Sequence, residues 1–255
     1  KHIELNENDI IIFQTSRINE FELAYLLIVL KLKVKLHLRI IQLHKKKRLM
    51  KCNKILKDLE INNELFKNVF FYTETDFQKQ QIKKFTNINL ELFYNNLSFS
   101  EKEIPKDKFT IGILGESRFD KGFFKIPKLI EDLNSKALDK VKFIIQINNY
   151  PKNLLEVRNE IYALSKVYKN IEILDGYIDF FEYRKLLKTI NIIPLLHQLD
   201  QLKKCGSGIV FSSIVNEIPM VIPKDATFVK KFLNYNSFLE AENLVEYSNN
   251  IIRII

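Results

Sequence analysis

Glycine and proline are missing from the first 104 residues; all six of each fall from Pro105 onward. A stretch without glycine holds neither a Walker loop nor a dinucleotide fingerprint, since both need glycine where backbone closes on phosphate. The rest of the chain has neither pattern, and no nucleophile elbow. Cysteine is scarce too: Cys52 and Cys205 lie far apart and match no metal or disulfide spacing, which suits a reducing cytoplasm. Long apolar runs are also lacking. Leu23 to Leu30, the longest near the N-terminus, is well under the roughly 20 residues of a membrane span. The chain opens on Lys1 without a signal-peptide pattern and stops at Ile255 inside an apolar helix-like pattern, so a fragment of a longer protein is expected.

What is present describes a soluble globular protein. With 255 residues, 46% hydrophobic and 28% charged, there is material for one large or two modest domains, each with its own core. Forty basic residues against 31 acidic give a net charge of +9, which favours anionic partners: nucleic acid, a lipid surface or a phosphorylated substrate. Most of the bases are lysines in a chain also rich in Ile and Asn, a bias of the whole chain that a solvated surface accounts for more readily than a binding site. The densest run, Lys45-Lys46-Lys47-Arg48, is too short to define a membrane or nucleic-acid site.

The change in glycine and proline content coincides with a polar stretch, Tyr94 to Lys108, which reads as a linker. The expected domains are 1–98 and 109–255, joined by 99–108. In the first, strand patterns at Asp9–Thr15 (read as buried), Lys33–Ile41, Asn68–Tyr72 and Ile88–Phe93 alternate with helix patterns at Asn19–Leu30, Lys46–Leu59 and Asp76–Phe85, the last beginning at an acidic cap. Such alternation predicts a parallel sheet covered on both faces, here the later half of a domain. The second domain repeats it, with strands at Phe109–Leu114, Val141–Ile147, Ile171–Leu174, Ile190–Leu196, Met220–Ile222 and Phe238–Leu239. Helices are expected at Phe123–Leu133, Asn153–Val167, Phe180–Thr189, from the glycines to Asn216, at Ala226–Leu233 and from Asn243. The fold class is α/β, two Rossmann-like doubly wound parallel sheets, the N-terminal one incomplete.

Within so few glycines, placement carries meaning. Gly115 and Gly122 flank the loop after one strand, and Gly206-Ser207-Gly208 opens a helix after another. Unpaired amides at a helix start, with roughly half a positive charge from the macrodipole, attract anions. Arg118 and Lys121 in the first loop would face that cradle and hold a diphosphate. Taken alone, the glycines also fit a tight turn, and the two bases a solvated loop. His197, just past a strand end, either faces the cleft or is an ordinary exposed histidine. His37 and His44 have no third ligand at metal spacing, so no metal site is expected. Glu20 and Glu22 are accounted for as helix-surface charge.

Residues 109–223 resemble the donor-binding domain of GT-B-type glycosyltransferases of the broad family-4 and family-1 kind. The resemblance rests on Gly-Glu-Ser-Arg-Phe-Asp-Lys-Gly at 115–122, Gly176-Tyr177 before a helix, and the run from Tyr183 to Pro194. Gly206-Ser207-Gly208-Ile209, followed by Ile218-Pro-Met-Val-Ile-Pro223, completes it. It implies a glycosyltransferase moving a sugar from a nucleotide-diphosphate donor to a saccharide or lipid-linked acceptor, as in polysaccharide synthesis, with no metal and no cofactor beyond the donor. It implies a cytoplasmic protein, with peripheral contact to the inner face of a membrane, and no nucleic-acid partner. By position, Arg118, Lys121, Gly206, Ser207 and Gly208 would bind donor phosphate; Gly176, Tyr177 and Ser212 would lie by the nucleoside. Lys204 and Ser212 stand where such enzymes often carry glutamates, and Glu217 where they carry a glycine. No general base is assignable; His197 is the one candidate. Two other readings remain: a nucleotide-sugar epimerase of related shape, and a non-catalytic relative binding an anionic glycan, membrane surface or nucleic acid through its lysines.

Overall fold

A computed structural model describes residues 5–16, 18–30, 33–40, 46–61, 67–84, 86, 88–92, 108–137, 140–204, 206–233 and 237–255. The expected linker, apart from Lys108, lies outside them, as do His44, Lys45 and Cys205 and the side chains of Lys46, Lys47, Arg48, Cys52 and Lys204. The chain divides into two compact units, residues 1–95 with 203–206, and residues 96–202 with 207–255.

The first unit runs β1 (Ile10–Ser16), α1 (Ile18–Val29), β2 (Lys35–Ile40), α2 (Lys46–Ile61), β3 (Val69–Thr73), α3 (Asp76–Lys83) and β4 (Leu90–Leu92). The strands are parallel, in the order β1-β2-β3-β4. A sheet that grows in one direction through right-handed crossovers carries its helices on one face. The core follows: Leu36, Leu38, Ile40, Phe71 and Leu90 meet Ala24, Leu56 and Ile82.

Period-two alternation puts Ile10, Ile12, His37, Phe70 and Tyr72 on the other face. Ile10 and Ile12 are 56% and 62% exposed. The His37 ring stacks on Phe70 at 4.7 Å, with Nδ1 2.8 Å from the Tyr72 hydroxyl. Two expectations are corrected by this arrangement. Asp9–Thr15 is not a buried strand, because β1 is an edge strand with one bare face. Among the described residues the sheet is covered on one face rather than both. A third correction is local: Thr75, not an acidic residue, caps α3, its hydroxyl accepting the Gln78 N–H at 3.2 Å.

From β5 (Phe109–Ile113) the chain continues through α4 (Ile126–Ala137), β6 (Val141–Ile147), α5 (Leu155–Val167), β7 (Ile171–Asp175), α6 (Phe180–Thr189) and β8 (Ile193–Pro194). It ends with α7 (Leu199–Lys204), α8 (Gly208–Val215), β9 (Met220–Pro223), α9 (Thr227–Lys230), β10 (Phe238–Ala241) and α10 (Leu244–Ile254). Strands β5-β6-β7 and β8-β9-β10 pair in parallel. A parallel bridge between Ile111 and Ile192, with Gly112 N–H donating to Ile192 O at 3.0 Å, joins the two sets. The strand order is therefore β7-β6-β5-β8-β9-β10, doubly wound, and each face has its core. Phe143, Ile145 and Ile147 pack with Leu129, Ile161 and Ile251. Ile193, Met220 and Ile222 pack with Leu187, Val210 and Val229.

Three boundaries differ from expectation. The apolar run Ile190–Leu196 is buried almost throughout, yet only Ile193–Pro194 forms strand; on the β5 side Pro194 has no N–H to carry pairing beyond the Ile111–Ile192 bridge. The segment at Ala226–Leu233 is α-helical over Thr227–Lys230 alone. Helix α4 starts at Ile126 because two 3-10 turns, Phe119–Lys121 and Phe123–Lys125, precede it around Gly122.

Candidate functional site

In the second unit, β5 connects to β6 on one side while its neighbour on the other side is β8. Where strand order reverses, the loops leave in opposite directions and open a crevice at the carboxyl ends of the strands. Here those ends are Ile113-Leu114-Gly115 and Leu195-Leu196-His197.

The loop after β5 is held from two sides. Gly115 N–H donates to Gln146 Oε1 at 2.9 Å, and Gln146 Nε2 donates to Gly176 O at 3.0 Å. Ser117 N–H donates to Asn148 O at 2.7 Å, and Asn148 N–H returns a bond to Ser117 Oγ at 3.0 Å. The following turn lies against the end of β8. Gly122, at φ 76°, is so near that a Cβ there would sit 2.1 Å from Leu196 O, so glycine is required. Lys125 Nζ donates to Leu196 O at 3.2 Å, and Gln198 N–H to Asp120 O at 2.9 Å. Gly115, Lys121 and Gln146 line one side of the resulting cleft, and Leu195, His197 and Ile209 the other.

The charges in this cleft are distributed unevenly. The Arg118 guanidinium is taken up by carboxylates: Nε donates to Asp120 Oδ1 at 2.9 Å, Nη2 to Asp120 Oδ2 at 2.5 Å, and Nη1 to Glu116 Oε2 at 2.9 Å. Lys121 is freer, its nearest carboxylate being Glu116 at 3.8 Å. Burial holds its ammonium below the ordinary lysine range, and Arg118 acts in the same direction. His197 is only 8% exposed. Burial first, then the neighbouring Lys121, Arg118 and Lys125, lower its pKa to about 3 against the opposing pull of Asp120. The imidazole is neutral at ordinary pH, and its Nε2 lies 3.3 Å from Ser207 Oγ.

Ser207 is the N-cap of α8, yet its hydroxyl makes no capping bond. The amides that open this helix thus lack the side-chain acceptor that caps α3, α6 and α10 through Thr75, Asp179 and Asn243. Lys121, His197 and Ser207 form one cluster within the unit.

The other expected residues have these surroundings. Gly206 falls with the first unit, where its N–H donates to Glu74 Oε2 at 3.3 Å; Glu74 is also paired with Arg39. Gly176 is at φ 89°, and Tyr177 beside it is 82% exposed at the end of β7. Ser212 is buried in α8 against Tyr183, whose hydroxyl is pushed above its usual range by burial and drawn part-way back by Ser212. Gln146 is a site residue that sequence reasoning misses; its only signal is one amide at the end of the buried run Val141–Ile147. Among the described residues no group of three or more His, Cys, Asp or Glu could hold a metal ion. No helix among them is long and apolar enough to cross a membrane.

An architecture of parallel α/β sheets with this crevice defines the class, the GT-B-type fold, and solved structures share it. A trehalose-6-phosphate synthase, OtsA, superposes with a TM-score of 0.65 at 11% identity over 98% of this chain and 65% of its own. TarM gives 0.63 at 14% identity over 98% of this chain and 48% of its own. A UDP-forming trehalose-phosphate synthase from Burkholderia xenovorans gives 0.62 at 12% identity, over 98% and 66%. The chain thus spans between about half and two thirds of the length of these proteins. At such identities the likeness is one of fold. No family model matches the chain, and no curated protein matches it.

Proposed function

We propose that the second unit binds the diphosphate of a nucleotide-sugar, and that the protein transfers the sugar to a saccharide or lipid-linked acceptor without a metal. The observation that carries this reading is the convergence of Lys121, His197 and the uncapped start of α8 on the crevice where strand order reverses. A half-buried ammonium and helix-start amides stabilise negative charge as it builds on a leaving phosphate, and do so without reorganising. Solved structures of the same fold support it: one of TarM from S. aureus is a complex with UDP and alpha-GlcNAc-glycerol, and another protein is a UDP-forming synthase. In this reading Lys121, Ser207 and Gly208 meet the phosphates. Arg118, engaged with Asp120 and Glu116, joins them only by exchanging partners. Gly176 and Tyr177 lie toward the nucleoside. The protein works in the cytoplasm, its +9 charge suiting contact with the anionic inner face of a membrane.

Calorimetric titration of the full chain with ADP, GDP and UDP tests the proposal. At least one should bind, and Lys121→Ala should weaken it about tenfold or more, the effect of losing one charge-assisted bond. No binding by any of the three, or equal binding by the variant, overturns it. The non-catalytic reading is favoured by one observation, the burial of Ser212 against Tyr183 where a ribose-binding glutamate is otherwise found. It predicts steeply salt-dependent binding to a bare polyanion and no nucleotide affinity.

A further inference from the structure

One carboxylate oxygen is shared by the two cations of the loop after β5. Glu116 Oε2 accepts from Arg118 Nη1 at 2.9 Å and lies 3.8 Å from Lys121 Nζ. The rest of the guanidinium is turned to Asp120, with Nε and Nη2 donating to its two oxygens at 2.9 and 2.5 Å. That forked geometry fixes the plane of an arginine. Asp120 therefore orients Arg118 and leaves Nη1 for another acceptor, which here is Glu116. The Glu116 oxygen makes the two contacts that a phosphate oxygen held by both Arg118 and Lys121 would make.

The two carboxylates are held differently. Asp120 engages through both oxygens, and its backbone carbonyl accepts from Gln198 N–H at 2.9 Å. Glu116 engages the cations through one oxygen, and its side chain is 43% exposed. Its backbone is fixed by its neighbours: Gly115 is bonded to Gln146, and Ser117 exchanges two bonds with Asn148. The side chain can thus turn into solvent while the loop stays in place. Ion pairs as exposed as this one hold weakly.

We propose that Glu116 is a built-in competitor for the phosphate position: it neutralises Arg118 and Lys121 when no anion is bound, turns away when a diphosphate takes its place, and so sets the affinity of the site. A carboxylate tethered this close competes at an effective concentration of about millimolar or above, which keeps weakly bound anions such as chloride from the two cations. A diphosphate prevails because it also meets the amides at the start of α8. The inference rests on the phosphate reading of the cleft.

Calorimetric titration of the full chain with inorganic pyrophosphate decides it. Glu116→Gln keeps the size of the side chain and should bind about threefold to fivefold more tightly than wild type, the yield of removing a partly exposed ion pair. Glu116→Asp keeps the charge but shortens the reach, and should show part of that gain. An aspartate variant no tighter than wild type would assign the gain to net charge and overturn the proposal. In an Arg118→Ala background the gain from Glu116→Gln should shrink, because the competitor has lost its main partner; a gain that persists in full overturns the proposal too. If neither wild type nor Glu116→Gln binds pyrophosphate or any nucleoside diphosphate, the phosphate reading falls and this inference with it. If wild type binds and Glu116→Gln binds equally or more weakly, only the inference falls.

Discussion

Gln146 accepts a hydrogen bond from the Gly115 amide at 2.9 Å and donates to the Gly176 carbonyl at 3.0 Å, so one side chain at the end of β6 spans the loops after β5 and β7. Replacing it with leucine keeps the volume but leaves a backbone N–H and a C=O unpaired in a largely buried setting. The cost of such orphaned groups is about 1–3 kcal/mol. Gln146→Leu should therefore lower the unfolding free energy measured in urea by that amount and weaken nucleotide binding through the displaced loop. Equal stability of the two proteins would show that water replaces both bonds.

Much of this arrangement is legible in the sequence, and the misses have physical causes. The alternation of strands and helices, and the placement of Arg118–Lys121 and Ser207–Gly208 at loops on one sheet edge, follow from apolar period and glycine position. Periodicity says which side chains share a face but not whether anything covers it. Ile10 and Ile12 for that reason fit the pattern of a buried strand, while the edge strand they belong to leaves them exposed. Partner choice is equally hidden from sequence. Arg118 is followed two residues later by Asp120, and the local ion pair takes the guanidinium that composition alone offers to a phosphate. The burial of His197 cannot be read from its neighbours either, because the loop that carries Lys121, which lines the cleft with it, is distant in the chain.

The two glycines Gly122 and Gly208 should respond in opposite ways to alanine. At Gly122 the backbone is left-handed and the new methyl would lie 2.1 Å from the Leu196 carbonyl oxygen, which the end of β8 holds fixed. A loss of about 3 kcal/mol or more is expected. Gly208 begins α8 without a left-handed backbone, and a methyl added there would meet nothing within 4 Å. Alanine there should stabilise the protein by about 0.4–1 kcal/mol. It should nonetheless reduce anion affinity, because the methyl stands where phosphate approaches the amide. Chemical denaturation paired with calorimetry separates the two effects. Unchanged binding by Gly208→Ala would remove this glycine from the site.

Acid should destabilise the protein partly through His197. The folded state resists protonating this ring down to about pH 3, whereas the unfolded chain takes the proton near 6.5. Between those values the unfolded state binds more protons, so stability falls as pH falls, by roughly 1.4 kcal/mol per unit from this residue alone. His197→Asn lacks the titration. Its stability, measured by urea unfolding from pH 7 to pH 4, should fall less steeply than that of wild type. Parallel slopes would mean that the ring reaches solvent and protonates freely in the folded protein.

Ser212 offers the sharpest test of how far the resemblance in sequence extends to chemistry. If α8 presented this position to a ribose, Ser212→Glu would restore a missing carboxylate and tighten nucleotide binding. The side chain is instead 7% exposed and set against the buried Tyr183 hydroxyl. A glutamate there must bring its charge into a space with no cation assigned to it, at a cost of several kcal/mol, or stay protonated. Ser212→Glu should therefore lower stability strongly at pH 7 and recover part of the loss at pH 5, where the carboxyl is closer to neutral. It should not improve affinity for ADP, GDP or UDP. A stable variant with tighter binding would reverse this conclusion and return position 212 to the nucleoside site.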